Sequence, residues 1–163
     1  MVKARHVLFL CTGNSARSIL GEALLNRMAD GRYVAHSAGS RPAQMPNPYA
    51  LELLDKEGFD ITKLRSKSWD EFCQSDAHPV DFVITVCDSA SREPCPLFST
   101  NVPIIHWGLP DPAGLADAAE SRRAFQQTYA ALTRRIQRML ALDEGAGTSI
   151  NFVERLQQCG VER

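Results

Sequence analysis

Apolar residues in this chain fall into short unbroken runs, separated by longer stretches with helical spacing. "HVLFL" (6–10) is a continuous apolar run that stops at Cys11, the pattern of a strand buried on both faces of a parallel sheet. "SILGEALLNRMAD" (18–30) then puts Ile19, Leu20, Ala23, Leu24 and Met28 on one helical face, and "GRYVAHS" (31–37) restarts as a strand. A turn-rich loop (38–48) leads into "PYALELLDKEG" (48–58), which opens with Pro and closes with Gly as helices do. "DFVITV" (81–86) and "VPIIHW" (102–107) are two further strands, ending near Cys87 and at the loop "GLPDPAG". The longest helical pattern, 119–144, carries Phe125, Tyr129, Leu132, Ile136 and Leu140 on one face, with paired arginines on a solvated one.

Strands alternating with helices predict an α/β fold: a three-layer sandwich whose four-stranded parallel sheet has helices on both faces. Ligands of such sheets bind beyond the carboxyl ends of the strands. Cys11, Cys87 and Asp111 each lie at or just after a strand end, so they are expected to meet on one rim. Residues 1–144 read as one catalytic domain and 145–163 as a linker, "GAGTS", and a tail. "INFVERLQQCGVER" has amphipathic helical spacing, and a loosely docked tail is the expectation there.

Composition narrows the function. The 163 residues are 44% hydrophobic and 23% charged with a net charge of −1, which gives no general attraction to nucleic acid or an anionic membrane. The apolar runs are too short to span a bilayer, and a cytoplasmic monomer is expected. The five cysteines (11, 73, 87, 95, 159) are scattered, as free or catalytic thiols are. Neither a close Cys pair nor a close His pair is present, so no metal is expected.

The chemistry concentrates in "CTGNSARS", Cys11 to Ser18. Thr12, Gly13, Asn14, Ser15 and Ala16 are small or polar, and Gly13 and Asn14 tolerate unusual backbone angles. A loop of this kind wrapped around a helix N-terminus turns backbone N–H groups inward and makes an anion cradle. Arg17 adds a fork for two oxygens of a tetrahedral oxyanion, and the same field is expected to lower the Cys11 pKa, with Ser18 donating to the thiolate.

"CTGNSARS" together with "SAG" (37–39) resembles the low-molecular-weight protein tyrosine phosphatase fold, which has a Cys-x5-Arg phosphate loop after its first strand. The resemblance covers about residues 5–142. Members either hydrolyse phosphotyrosine or reduce arsenate, and "VCDSASREPCP" followed by "HWGLPDPAG" looks like the arsenate reductases. That likeness implies that Cys11 attacks arsenate held by Thr12–Ser18 and Arg17, with phosphate and sulfate as competing anions, and that Asp111 protonates the departing oxygen. It further implies that Cys87 attacks Cys11, that Cys95 attacks Cys87, and that an external thiol restores the enzyme. That thiol is thioredoxin, or glutathione or a similar small thiol with glutaredoxin; no cofactor is bound. Some members bind potassium through positions matching Asn14, Glu22 and Ser37 and an acidic residue where this chain has Lys67, whose ammonium is expected to replace the ion. A tyrosine phosphatase is the alternative activity, and a phosphocysteine carrier or oxyanion-binding module a third.

Overall fold

Four short strands form the sheet: β1 (Arg5–Leu10), β2 (Tyr33–Ala38), β3 (Phe82–Thr85) and β4 (Ile104–His106), all parallel in the order β2-β1-β3-β4. The computed structural model describes residues 3–74, 76–77, 79–93, 101–142 and 150–161. β1 is central, and Val7, Leu8, Phe9 and Leu10 are fully buried, as its unbroken apolar run requires. Five helices surround the sheet: α1 (Arg17–Met28), α2 (Pro48–Lys56), α3 (Asp88–Arg92), α4 (Ala118–Leu142) and α5 (Ile150–Cys159). The α/β sandwich expected from the pattern of runs is therefore the fold observed.

The topology places the site. β1 connects outward to β2 on one side, whereas β3 connects to β4 on the other. The crevice where the connections diverge lies between the adjacent ends of β1 and β3. Leu10 pairs with Thr85, and Val86 N–H donates to Leu10 O at 2.9 Å, so the residues just beyond, Cys11 and Cys87, emerge side by side. α1 lies close on β1 because position 21 is Gly: a Cβ there would come within 2.8 Å of the Phe9 ring.

Two segments differ from the sequence expectation. Residues 88–92, to which the sequence pattern gives no element, form α3, with Cys87 as its cap: the Ala90 N–H donates to Cys87 Sγ at 3.3 Å. A cysteine is not a usual capping residue, so the composition carried no start signal. The tail also differs. Over Ile150–Cys159 it is a docked helix: Phe152, Leu156 and Cys159 are buried. Trp107 Nε1–H donates to Leu156 O at 2.7 Å, and the Arg5 guanidinium stacks over the Phe152 ring. Gln157 accepts from His106 N–H at 2.9 Å and donates back to His106 O at 2.8 Å, so one side-chain amide pairs with β4 as a neighbouring strand would. The tail docks because its apolar positions 152, 156 and 159 share a face that covers Trp107. The expected domain boundary at 144 falls outside the described residues. No helix among the described residues is long and apolar enough to cross a membrane.

Docking of α5 predicts a stability cost for its loss. Leu156 is fully buried, so Leu156→Ala should lower the unfolding free energy by about 2–5 kcal/mol in urea denaturation. A change below about 0.5 kcal/mol would mean a loosely attached tail.

Candidate active site

The loop after β1 is shaped by where its carbonyls go. Thr12 O accepts from Arg41 N–H at 3.0 Å, Gly13 O from Ala43 N–H at 2.9 Å and Ser15 O from Asn47 N–H at 2.9 Å. Asn14 O accepts from the Ser66 hydroxyl at 2.6 Å. In a trans peptide the N–H points opposite to its carbonyl. With four successive carbonyls held by outside partners, the N–H groups of Gly13, Asn14, Ser15 and Ala16 face the other way, around Cys11. The Gly13 N–H donates to the Cys11 sulfur. These donors lie at the open N-terminus of the 12-residue α1, so the inner side of the loop is a ring of N–H groups.

Two features fix this shape. Asn14 is fully buried with φ 45°; its side chain donates to Ser18 Oγ at 2.8 Å and accepts from Lys67 N–H at 2.9 Å. Its side chain thus braces the loop, while its backbone N–H faces the inner side with those of its neighbours. Gly39 is the second: a Cβ there would lie 2.4 Å from Thr12 O and 2.6 Å from Cys11 O. Behind the loop, Lys67 Nζ donates to Ser37 O at 2.8 Å and Arg65 O at 3.0 Å and lies 3.5 Å from Ser37 Oγ, which in turn donates to Glu22 at 3.1 Å. Burial pushes the Glu22 carboxyl up and the Lys67 ammonium down, each opposed by the charge of the other. A bound potassium ion does not fit this arrangement, because the ammonium already takes the carbonyl oxygen of Ser37.

Arg17 closes the cradle. Its Nη1 donates to Leu109 O at 2.8 Å, Nη2 lies 3.8 Å from the Asp111 carboxylate, and the buried Nε has no hydrogen-bond partner among the described residues. One edge of the guanidinium is pinned to the loop after β4, and the Nε–Nη2 edge is left to receive an anion. Asp111 is 58% exposed, and its Oδ1 accepts from Ala113 N–H at 3.0 Å, which sets the carboxylate over the cradle opposite Arg17. The same loop is tied from behind by the buried Arg135, which donates to Trp107 O at 2.9 Å.

Cys11 and Cys87 are both buried and free, and they emerge side by side from the paired ends of β1 and β3. The sequence expectation was a lowered pKa for Cys11. Instead, donation to Cys87 and burial push the Cys11 thiol up, against the pull of Arg17. Cys87 is lowered to about 5, chiefly by the hydrogen bond from Cys11, with Ala90 and Thr12 contributing further donors. Ionisation of either thiol therefore disfavours that of the other. Thr12 Oγ1 lies 3.7 Å from Cys87 Sγ and donates to Glu93 Oε1 at 3.0 Å. Asp88 accepts from His106, whose other nitrogen bonds Thr85 Oγ1 at 2.7 Å, so α3 is tied at both ends.

The structure thus brings together Cys11, Thr12–Ser18, Arg17, Cys87 and Asp111. Cys95 lies outside the described residues. Sequence reasoning missed Glu93 and Arg135, which carry no local motif, and Ser66, which meets the loop only through the fold.

The low molecular weight phosphotyrosine protein phosphatase family matches residues 6–148. Arsenate reductase 2 of Staphylococcus epidermidis is 35% identical over 108 residues, spanning 66% of this chain and 79% of that protein. Among solved structures, a thioredoxin-dependent arsenate reductase of Corynebacterium glutamicum superposes with a TM-score of 0.60 at 26% identity, covering 85% of this chain and 63% of that one. A low molecular weight protein tyrosine phosphatase of T. tengcongensis gives 0.65 at 25% identity, covering 86% and 99%.

The sulfur pair makes a pH prediction. A depressed pKa means that the thiolate appears as pH rises through that value, so ultraviolet thiolate absorbance should show one step with a midpoint near 5. Cys87→Ser should remove or move that step; an unchanged midpoint would place the charge on Cys11.

Proposed function

Because the chain belongs to the low molecular weight phosphotyrosine protein phosphatase family, we propose that it uses the family's anion loop to reduce arsenate to arsenite in the cytoplasm, as a monomer. The observation that carries this reading is a second buried thiol, Cys87, beside Cys11 at the paired ends of β1 and β3. Ester hydrolysis has no use for it, whereas reduction of arsenic(V) needs two electrons from two sulfurs. The arsenate reductases among its relatives support the assignment.

The reaction follows from the positions. The N–H groups of residues 13–16 and the Nε–Nη2 edge of Arg17 hold the oxyanion above Cys11. These donors and the Arg17 charge favour the Cys11 thiolate, whose proton leaves by way of Cys87 to solvent; the thiolate attacks arsenic, and Asp111 gives a proton to the oxygen that leaves as water. The Cys87 thiolate then attacks the Cys11 sulfur. The sulfur–arsenic bond breaks, its electron pair stays on arsenic, arsenite departs, and a Cys11–Cys87 disulfide remains. An external thiol reduces it. Thioredoxin is supported by the thioredoxin-dependent relative of known structure; in that route Cys95 takes the disulfide from Cys87. Glutathione, or a similar small thiol, with glutaredoxin is the other donor. Lys67 supplies the positive charge behind the loop, so no metal is required.

Phosphotyrosine hydrolysis is the second reading, favoured by the phosphatase of similar structure. It would use Cys11, Arg17 and Asp111 alone. Asp111 and Pro112 are followed by Ala113 and Gly114, so no aromatic side chain immediately follows the general acid to stack on a tyrosine ring.

Purified protein should release arsenite from arsenate with thioredoxin or with glutathione and glutaredoxin, and Cys11→Ser should cut the rate by about 1,000-fold or more. Cys87→Ser should still hydrolyse an aryl phosphate but lose arsenite turnover with thioredoxin. Aryl phosphate hydrolysis with no arsenite in either system would make the phosphatase reading the correct one. Turnover in potassium chloride and in sodium chloride of equal ionic strength should be the same; strong activation by potassium would contradict the role given to Lys67.

A further inference from the structure

The sulfur pair holds one proton that the reaction must remove. When Cys11 bonds to arsenic its S–H bond breaks, and Cys87, which emerges beside it from the paired end of β3, can take the proton. A protonated Cys87 is a poor nucleophile, yet Cys87 must attack next. The proton therefore has to move on. Cys87 is buried, so bulk water is not at hand. Beyond its sulfur lies the Thr12 hydroxyl at 3.7 Å, and beyond that Glu93 Oε1 at 3.0 Å. A hydroxyl both accepts and donates, so it can pass a proton in one concerted shift. Glu93 is only partly buried and has access to solvent.

We propose that Glu93 is the proton acceptor of the Cys11–Cys87 pair, reached through the hydroxyl of Thr12. The Cys87 S–H bond breaks as its proton joins Thr12 Oγ1, and the hydroxyl proton of Thr12 moves to Glu93. Cys87 becomes a thiolate and Glu93 a neutral carboxylic acid, which returns the proton to water. No electrons move in this step. The relay gives Thr12 a task that the loop does not need for anion binding, since the cradle is built from backbone N–H groups. The other charged and titratable groups of the site are Cys11 and Cys87 at the sulfur end, Arg17 and Asp111 across the cradle, and Asp88 and Arg92 on Glu93's own segment, with His106 bound to Asp88.

The relay deepens the reductase reading and rests on it for its purpose, but its test does not need arsenate. Reduced protein is mixed with the thiol oxidant diamide, and closure of the Cys11–Cys87 disulfide is followed against pH by quenching and mass spectrometry. Diamide takes up the two electrons that the sulfurs lose. Glu93→Gln keeps an oxygen for Thr12 to donate to, so a purely structural tie survives the change. The expected result is closure slowed about tenfold or more near neutral pH, with the deficit vanishing in alkali, where hydroxide removes the proton. Thr12→Ser should close at the wild-type rate and Thr12→Val should match Glu93→Gln. A Glu93→Gln protein with the wild-type rate and pH profile would overturn the relay. Arsenite release in parallel separates the two ideas: Glu93-dependent closure without arsenate turnover keeps the relay and discards the reductase.

Discussion

Everything at this site depends on the direction of four carbonyl groups. A chain that bends sharply after a strand would, left to itself, present carbonyl oxygens and N–H groups on both sides of the bend. Here the segment 41–47 and the Ser66 hydroxyl collect the carbonyls of residues 12–15 on the outer side. Only then does the inner side become a surface of donors, able to hold an oxyanion and to stabilise negative charge on sulfur. Distant parts of the chain serve this one requirement: the buried Asn14 at φ 45°, the absent side chain at Gly39, and the Lys67 ammonium behind the loop.

The electrostatics of the sulfurs follow from the same crowding. Two buried thiols in contact cannot both ionise, and the one with more donors takes the charge. Cys87, which caps α3, accepts the Ala90 N–H at its sulfur and has its pKa lowered, while that of Cys11 is raised. In the proposed reaction, bond formation at Cys11 is what sends its proton away. Chemistry and conformation are joined through α3, which has only Ala90 buried and is otherwise held by Asp88–His106 and Glu93–Thr12. A short helix tied by polar links at its ends releases more readily than one seated in the core.

Much of this was legible in the sequence, and the limits have physical causes. The strands were readable because a parallel sheet buried on both faces demands unbroken apolar runs, as in "HVLFL". Cys11, Arg17, Cys87 and Asp111 were readable because ligands of such sheets meet strand ends. The short α3 was not, since its cap is a cysteine and its five residues carry no period. The docking of the tail was not, because a ten-residue amphipathic stretch does not say what its apolar face will cover. The lowered pKa expected at Cys11 fell instead to Cys87, because the sequence gives each sulfur's neighbours along the chain and not the sulfur across the crevice.

The Gln157 amide that mimics a strand beside β4 has a consequence for how the molecule behaves in a crowd. β4 is an outer strand, and the bare edge of a sheet is a template for any extended peptide that meets it. One side chain, carried on the last helix, occupies that template at His106. The tail in this sense shields the border of the sheet: without Gln157, the N–H and carbonyl of His106 would face outward without this pairing.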